Sequence, residues 1–153
     1  MKTKSILLTV ALTVASGALC FGSPEIGTWK LNEGKSKFAP GAPKNNTVVY
    51  AAAGDSVKVT VDGVDKDGKA AHNEWTGKFD GKDYPLTGDP NADMRSYKRI
   101  DENTLELTNK KDGKVVVSGR VVVSKDGKTR TVTLNMTDAE GKKAESTFVY
   151  DKQ

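Results

Sequence analysis

Few side chains in this 153-residue chain could do chemistry: it has one histidine, His72, and one cysteine, Cys20. An activated nucleophile needs a base within hydrogen-bond reach, and a catalytic zinc needs about three protein ligands. One histidine rarely serves either purpose, so the expectation is a protein that is not an enzyme and takes no cofactor. A hydrolase would need His72 beside a carboxylate in a cleft. Alternation puts His72 on the outward face of its strand, with Glu74, Thr76 and Lys78.

Two acidic turns and one basic strand remain. Asp65-x-Asp67-Gly68 followed by Glu74 matches the middle and end of a calcium loop, but the first ligand position falls on Gly63, which has no side chain. In Asp89-x-Asn91-x-Asp93, Met94 stands where a glycine is required. Asp and Asn serve hairpin turns in the same pattern, and turns without metal are expected at both. Arg95, Tyr97 and Arg99 share one face of the least clearly patterned strand. Facing a lumen, two guanidiniums and a phenol could orient an acidic headgroup, because Arg takes carboxylate or phosphate in a bidentate grip. Unpaired charges are rarely buried, so an outer, solvated placement is the expectation.

The elements that must position these residues are strands. Asp112-Gly113-Lys114, Asp126-Gly127-Lys128 and Glu140-Gly141-Lys142 repeat a turn signal, with successive glycines fourteen residues apart. Asp-Gly provides the positive φ of a tight hairpin turn, and the runs of Val, Thr, Leu and Met between the turns read as strands. Each is about eleven residues, roughly twice the usual strand length, which suits a strongly curved sheet. Val57, Val59 and Val61 face inward, as do Trp75 and Phe79 with Asn73 and Gly77; Leu105, Leu107, Val132, Leu134, Met136, Phe148 and Tyr150 continue the pattern. A glycine at 119 inside the valine run 115–123 predicts a kink or bulge. Residues 32–46, rich in Pro and Gly, read as one long loop, and 86–93 as another. The count is nine or ten antiparallel strands with no convincing helix. The fold class is all-β, an up-and-down meander of about eight to ten strands, closed into a barrel because closure removes the exposed edges; a sandwich or an open, bent meander is the alternative.

One domain, 21–153, suffices for a chain this long. Before it, 1–20 reads as a secretory signal peptide, with Lys2 and Lys4, an apolar run and a small-x-small ending at Ala18-Leu19-Cys20. That run is shorter than a membrane span requires, so no transmembrane segment is expected and the chain is read as exported, periplasmic or secreted. Lipidation at Cys20 fits poorly, because Leu19 precedes it where a small residue is wanted. The chain after residue 21 begins with a short linker through Glu25 and has no cysteine with which to form a disulfide. Without Lys2 and Lys4, 24 − 2 = 22 basic residues face 20 acidic ones. Near-neutral charge with alternating Lys and Asp in turns excludes nucleic acid as the expected partner.

Gly27-Thr28-Trp29-Lys30-Leu31 resembles the first strand of lipocalins and fatty-acid-binding proteins, which carry Gly-x-Trp there with the Trp at the closed end of the barrel. The chain also resembles small exported bacterial lipocalin-like proteins without a defined activity. Two departures limit the transfer. Residues 32–46 are too short and too rich in Pro and Gly for the helix pair of fatty-acid-binding proteins. Their Arg-x-Tyr headgroup motif in the last strand reads Phe148-Val149-Tyr150 here, with the tyrosine and without the arginine.

These features predict a non-catalytic lipocalin-like barrel binding a small apolar or amphipathic molecule, lined by Trp75, Phe79, Tyr97, Leu107, Val117, Met136, Phe148 and Tyr150, with Arg95 and Arg99 for an acidic head. The alternative is a filled barrel whose loops engage another envelope protein, since an eight-stranded barrel can be filled by its own side chains.

Overall fold

A computed structural model of the chain describes residues 22–138 and 140–153, and the expected leader over 1–20, Cys20 included, lies outside them. Ten antiparallel strands form one closed sheet: β1 (Gly27–Leu31), β2 (Lys44–Ala53), β3 (Ser56–Val64), β4 (Ala70–Gly77), β5 (Tyr84–Thr87), β6 (Met94–Asp101), β7 (Thr104–Lys111), β8 (Lys114–Val123), β9 (Thr129–Thr137) and β10 (Lys143–Lys152). Each strand pairs with its sequence neighbour. β1 closes the ring, with Trp29 opposite Val48 of β2 on one side and Lys152 of β10 on the other. Among the described residues, helix is limited to a 3-10 turn at Glu33–Lys35.

Alternation decides which side chains fill the interior. Val57, Val59 and Val61 of β3, Trp75 of β4, Leu105 and Leu107 of β7, Val121 and Val123 of β8, Val132 of β9, and Phe148 and Tyr150 of β10 are all buried in one core. At the β7–β8 hairpin, Lys111 pairs Lys114 around Asp112 (φ 50°) and Gly113 (φ 78°), the two-residue turn with both centres at positive φ that Asp-Gly favours.

Several expectations need correction. The loop expected over 32–46 is shorter, because β2 begins at Lys44, and it is fastened down: Lys37 and Thr147 exchange backbone hydrogen bonds, and Ser36 Oγ accepts from the Val149 N–H. The loop expected over 86–93 starts later, since β5 runs on to Thr87 with Leu86 buried. Glu25 is no linker residue: its side chain is buried at one end of the barrel. Gly119 is not the site of the bulge either. The register slips between Asn109 and Lys110 of β7, leaving Val116 as the extra residue of β8. Gly119 has a different role, because a Cβ there would lie 2.0 Å from the Thr133 carbonyl oxygen of β9. Gly119→Ala therefore forces two paired backbones apart, and the expected loss is about 1–3 kcal/mol of unfolding free energy in urea denaturation; an unchanged midpoint would show that the strands tolerate the methyl.

Candidate functional site

The interior is not purely apolar. On β9, Arg130 shares the inward face of Val132 and is 4% exposed. Its register partner on β10 is Tyr150, whose ring lies 4.8 Å from the guanidinium carbon; the Tyr50 ring of β2 lies at 5.1 Å. Arg130 Nη2 donates to Tyr50 Oη at 2.9 Å, and Tyr50 Oη is 3.4 Å from Tyr97 Oη of β6. The other two nitrogens, Nε and Nη1, are buried and have no hydrogen-bond partner among the described residues. Arg95 of β6 is buried nearby in the sheet and donates through Nε to Asn109 Oδ1 of β7 at 2.8 Å. The aromatic lining is continuous around these groups: Trp75 meets Tyr97 with ring centres 4.9 Å apart and Phe79 at 6.5 Å.

The electrostatics of this cluster are one-sided. Burial pushes the Tyr50 phenol well up, with Arg130 pulling the other way, and burial likewise pushes Tyr150 up to about 12. Both hydroxyls are therefore neutral at pH 7, hydrogen-bond partners and not counter-ions. Burial opposes the Arg130 charge, the oxygens of Tyr50, Tyr150 and Tyr97 favour it, and the net displacement is upward. No ion pair reaches Arg130 within 4.0 Å among the described residues. The arrangement presents two unpartnered donor nitrogens of a fixed positive charge inside an aromatic interior.

One end of the barrel is sealed by a different arginine. Arg99 of β6 donates Nη1 to Glu25 Oε1 at 2.7 Å and Nη2 to Glu25 Oε2 at 3.0 Å, a bidentate pair between the N-terminal segment and the wall. Ser23 Oγ donates to the same carboxylate, Trp29 Nε1 donates to the Glu25 carbonyl oxygen at 2.8 Å, and Lys152 Nζ sits 5.1 Å from the Trp29 ring centre. Trp29 thus stands at a closed end, capped from outside.

The structure brings together Trp75, Phe79 and Tyr97 on one side of the lumen, with Leu107 in the core; Phe148 packs with Phe38 near the loop that follows β1. Val117 and Met136, paired across β8 and β9, are half-buried. The expectation that Arg95, Tyr97 and Arg99 face solvent is overturned. Arg95 and Tyr97 are buried and Arg99, on the same face, is half-buried at the barrel end; the charges are tolerated because Asn109 and Glu25 supply partners that lie 14 and 74 residues away in the chain. Arg99 is already engaged by Glu25 and is not a free headgroup donor. Arg130, Tyr50, Asn109 and Glu25 were missed. Arg130 had a signal, since the inward parity of Met136, Leu134 and Val132 extends two residues back to it.

On the outside, His72 Nδ1 lies 2.6 Å from Asp62 Oδ1 and Nε2 lies 3.5 Å from Glu74 Oε1, on the open face of β3 and β4 with His72 53% exposed. Asp65 Oδ1 accepts the N–H groups of Asp67 and Lys69, Asp89 Oδ1 accepts that of Asn91, and Glu74 pairs Lys58 at 3.1 Å, so these carboxylates are occupied by turns and a lysine. No group of three His, Cys, Asp or Glu is placed to hold a metal among the described residues. A shallow groove of about 760 Å³ runs over the outer face of β7, β8 and β9, lined by Glu106, Ser118, Arg120, Thr131, Thr133 and Asn135. A cleft of about 280 Å³ lies over the junction of β4 and β5. No described helix is long and apolar enough to cross a membrane.

No family model matches the chain, and no curated protein matches it. Among solved structures it is similar to EF1p2_mFAP2b bound to DFHBI, at 10% identity over 85% of this chain and 94% of that one with a TM-score of 0.47. It is also similar to a redesigned β-barrel, mFAP1, bound to DFHBI, at 13% identity over 84% of this chain and 95% of that one with a TM-score of 0.45.

His72 yields a pH signature. Its hydrogen bond to Asp62, opposed by desolvation and reinforced by the charge of Asp62 and by Glu74, raises the imidazole above its ordinary 6.5. A group whose folded pKa is raised contributes stability that is full below the unfolded pKa and is lost as pH rises through the folded one. NMR titration of the His72 ring is therefore expected to give a midpoint above 6.5 that falls in Asp62→Asn, and the stability gap to His72→Ala is expected to close as pH rises through that midpoint; an unshifted ring in both proteins would contradict the contact.

Proposed function

We propose that this chain is an exported, non-catalytic barrel of lipocalin-like type that binds a compact amphipathic anion in its lumen, with the acidic head on Arg130 and the apolar part against the neighbouring aromatic rings. One observation carries the reading: a fully surrounded guanidinium whose Nε and Nη1 have no partner, beside hydroxyls that stay neutral. Burying an unpaired charge costs several kcal/mol, and an anionic ligand is the group that would offset it. A carboxylate matches the guanidinium fork, and hydrogen bonds to a charged group are worth about 1.5–3 kcal/mol each, tenfold or more in affinity. Trp29, Trp75, Tyr50, Tyr97, Tyr150 and Phe148 already occupy much of the interior, so a short or planar ligand suits the site better than a long chain. The export reading rests on the leader over 1–20.

A second reading, a filled barrel serving as an interaction module in the cell envelope, is favoured by the groove on the outer face of β7, β8 and β9, the larger of the two surface concavities described above. It requires no ligand at Arg130.

Displacement of 1-anilinonaphthalene-8-sulfonate separates the two. The binding reading expects 4-phenylbutyrate to displace the dye at least about tenfold more effectively than its methyl ester, and Arg130→Met to abolish that difference. Equal potency of acid and ester on the wild-type protein, or an undiminished preference in Arg130→Met, would overturn it.

A further inference from the structure

Arg130 lies deep, and the end of the barrel nearest to it is sealed. Tyr150, its register partner, also pairs Leu31 of β1, two residues from Trp29, over which Glu25, Ser23 and Arg99 are clamped. Access must come from the opposite end or through the wall.

Among the described strands, pairing is thinnest on the two sides of β5. β3 pairs β4 through eight register partners, whereas β5 pairs β4 only at Glu74–Thr87 and Trp75–Leu86, and pairs β6 only at Tyr84–Arg95 and Pro85–Met94. Pro85 has no N–H to add to either ladder. Past those two pairs β4 continues through Thr76 and Gly77 without a partner on β5, and the space is stopped by a side chain. The Tyr84 ring packs on Gly77, where a Cβ would be 2.6 Å from it, and stands edge-on to Trp75 at 5.7 Å. Its hydroxyl is tied at the surface to Asp80 Oδ2 at 2.8 Å. Behind β5, Trp75 Nε1 donates across to the Arg95 carbonyl oxygen of β6 at 2.8 Å, so a side chain does the work of a missing strand pairing. Outside this seam is the 280 Å³ cleft lined by Glu74, Trp75, Thr76, Pro85 and Thr87. Inside it, Trp75 touches Tyr97, Tyr97 Oη is 3.4 Å from Tyr50 Oη, and Tyr50 holds Arg130. Trp75 and Tyr50 are level, each paired with Val59 of β3.

Resting on the lumen-binding reading above, we propose that the ligand passes through the β4–β5 seam, that the cleft over Trp75 is its outer subsite, and that Tyr84 is the gate, swinging away when its bond to Asp80 breaks. The ligand then needs a small apolar end to slide over Trp75 and Tyr97, with its anionic end drawn on to Arg130.

Stopped-flow binding of 1-anilinonaphthalene-8-sulfonate tests this. In a Cys20→Ser background, Glu74→Cys with Thr87→Cys places two outward cysteines at a register pair, where a disulfide staples the seam. Relative to its own reduced form, the oxidised pair is expected to slow association at least about tenfold with little change in equilibrium affinity. An Ala51→Cys with Lys58→Cys staple between β2 and β3 should leave the rate unchanged, and Tyr84→Ala should raise it. A stapled seam that admits the dye as fast as its reduced form does would overturn passage through the seam and leave the binding reading standing. Absence of dye binding by the wild-type protein at equilibrium would overturn both.

Discussion

A ten-stranded sheet that closes on itself has no free edge, and it must fill the space it encloses. Both demands meet at β1, a five-residue strand that completes the ring between β2 and β10 and carries Trp29 into the end of the lumen. The Glu25–Arg99 pair then binds the N-terminal segment to β6, on the opposite wall, so the closed end is fixed by contacts between residues 74 apart. With that end sealed, large rings take up much of what remains. Trp75, Tyr97, Tyr50, Phe148 and Tyr150 are needed because ten strands enclose a wider interior than aliphatic side chains alone would fill at ordinary packing density.

Arg130 is the element this packing does not account for. Its one hydrogen bond to Tyr50 contributes about 1.5–3 kcal/mol, and two desolvated cation–π contacts add about 2 kcal/mol or more each. Those gains are comparable with the several kcal/mol needed to take a guanidinium out of water, so the ligand-free site is close to balanced. Arg95 and Arg99 show how the same chain satisfies inward arginines when structure alone is at stake, the first with an amide oxygen and the second with a carboxylate. Arg130 has neither. The proposed ligand role therefore rests on Arg130, and the thin β4–β5 seam lies level with the tyrosine that holds it.

Strand order and inward faces were legible in the sequence because a period of two survives even where composition is mixed: Val57, Val59 and Val61 or Leu105 and Leu107 need no tertiary information. The Asp-Gly turns were legible for the same local reason. What was not legible depended on partners distant in the chain. Arg95 and Arg99 read as solvated because nothing near them could neutralise a buried charge, while Asn109 and Glu25 arrive only when the sheet closes. Arg130 was hard to see for a related reason. Position 148 is Phe148, and the arginine beside Tyr150 is its partner across the ladder; a motif written along one strand does not register a pair built across two. Gly119 was flagged correctly as special but for the wrong cause, since a glycine required by close backbone approach and one required by a bulge look alike in sequence.

The central claim is that Arg130 is held in the lumen for a ligand and not for the fold. Urea unfolding of ligand-free wild-type protein and Arg130→Met addresses it directly, because methionine fills similar space without a charge to desolvate. The account expects the variant to be as stable as the wild type or more stable by about 1 kcal/mol or more. A loss of about 2 kcal/mol or more would instead make the guanidinium and its tyrosines a structural strut, and would contradict the claim.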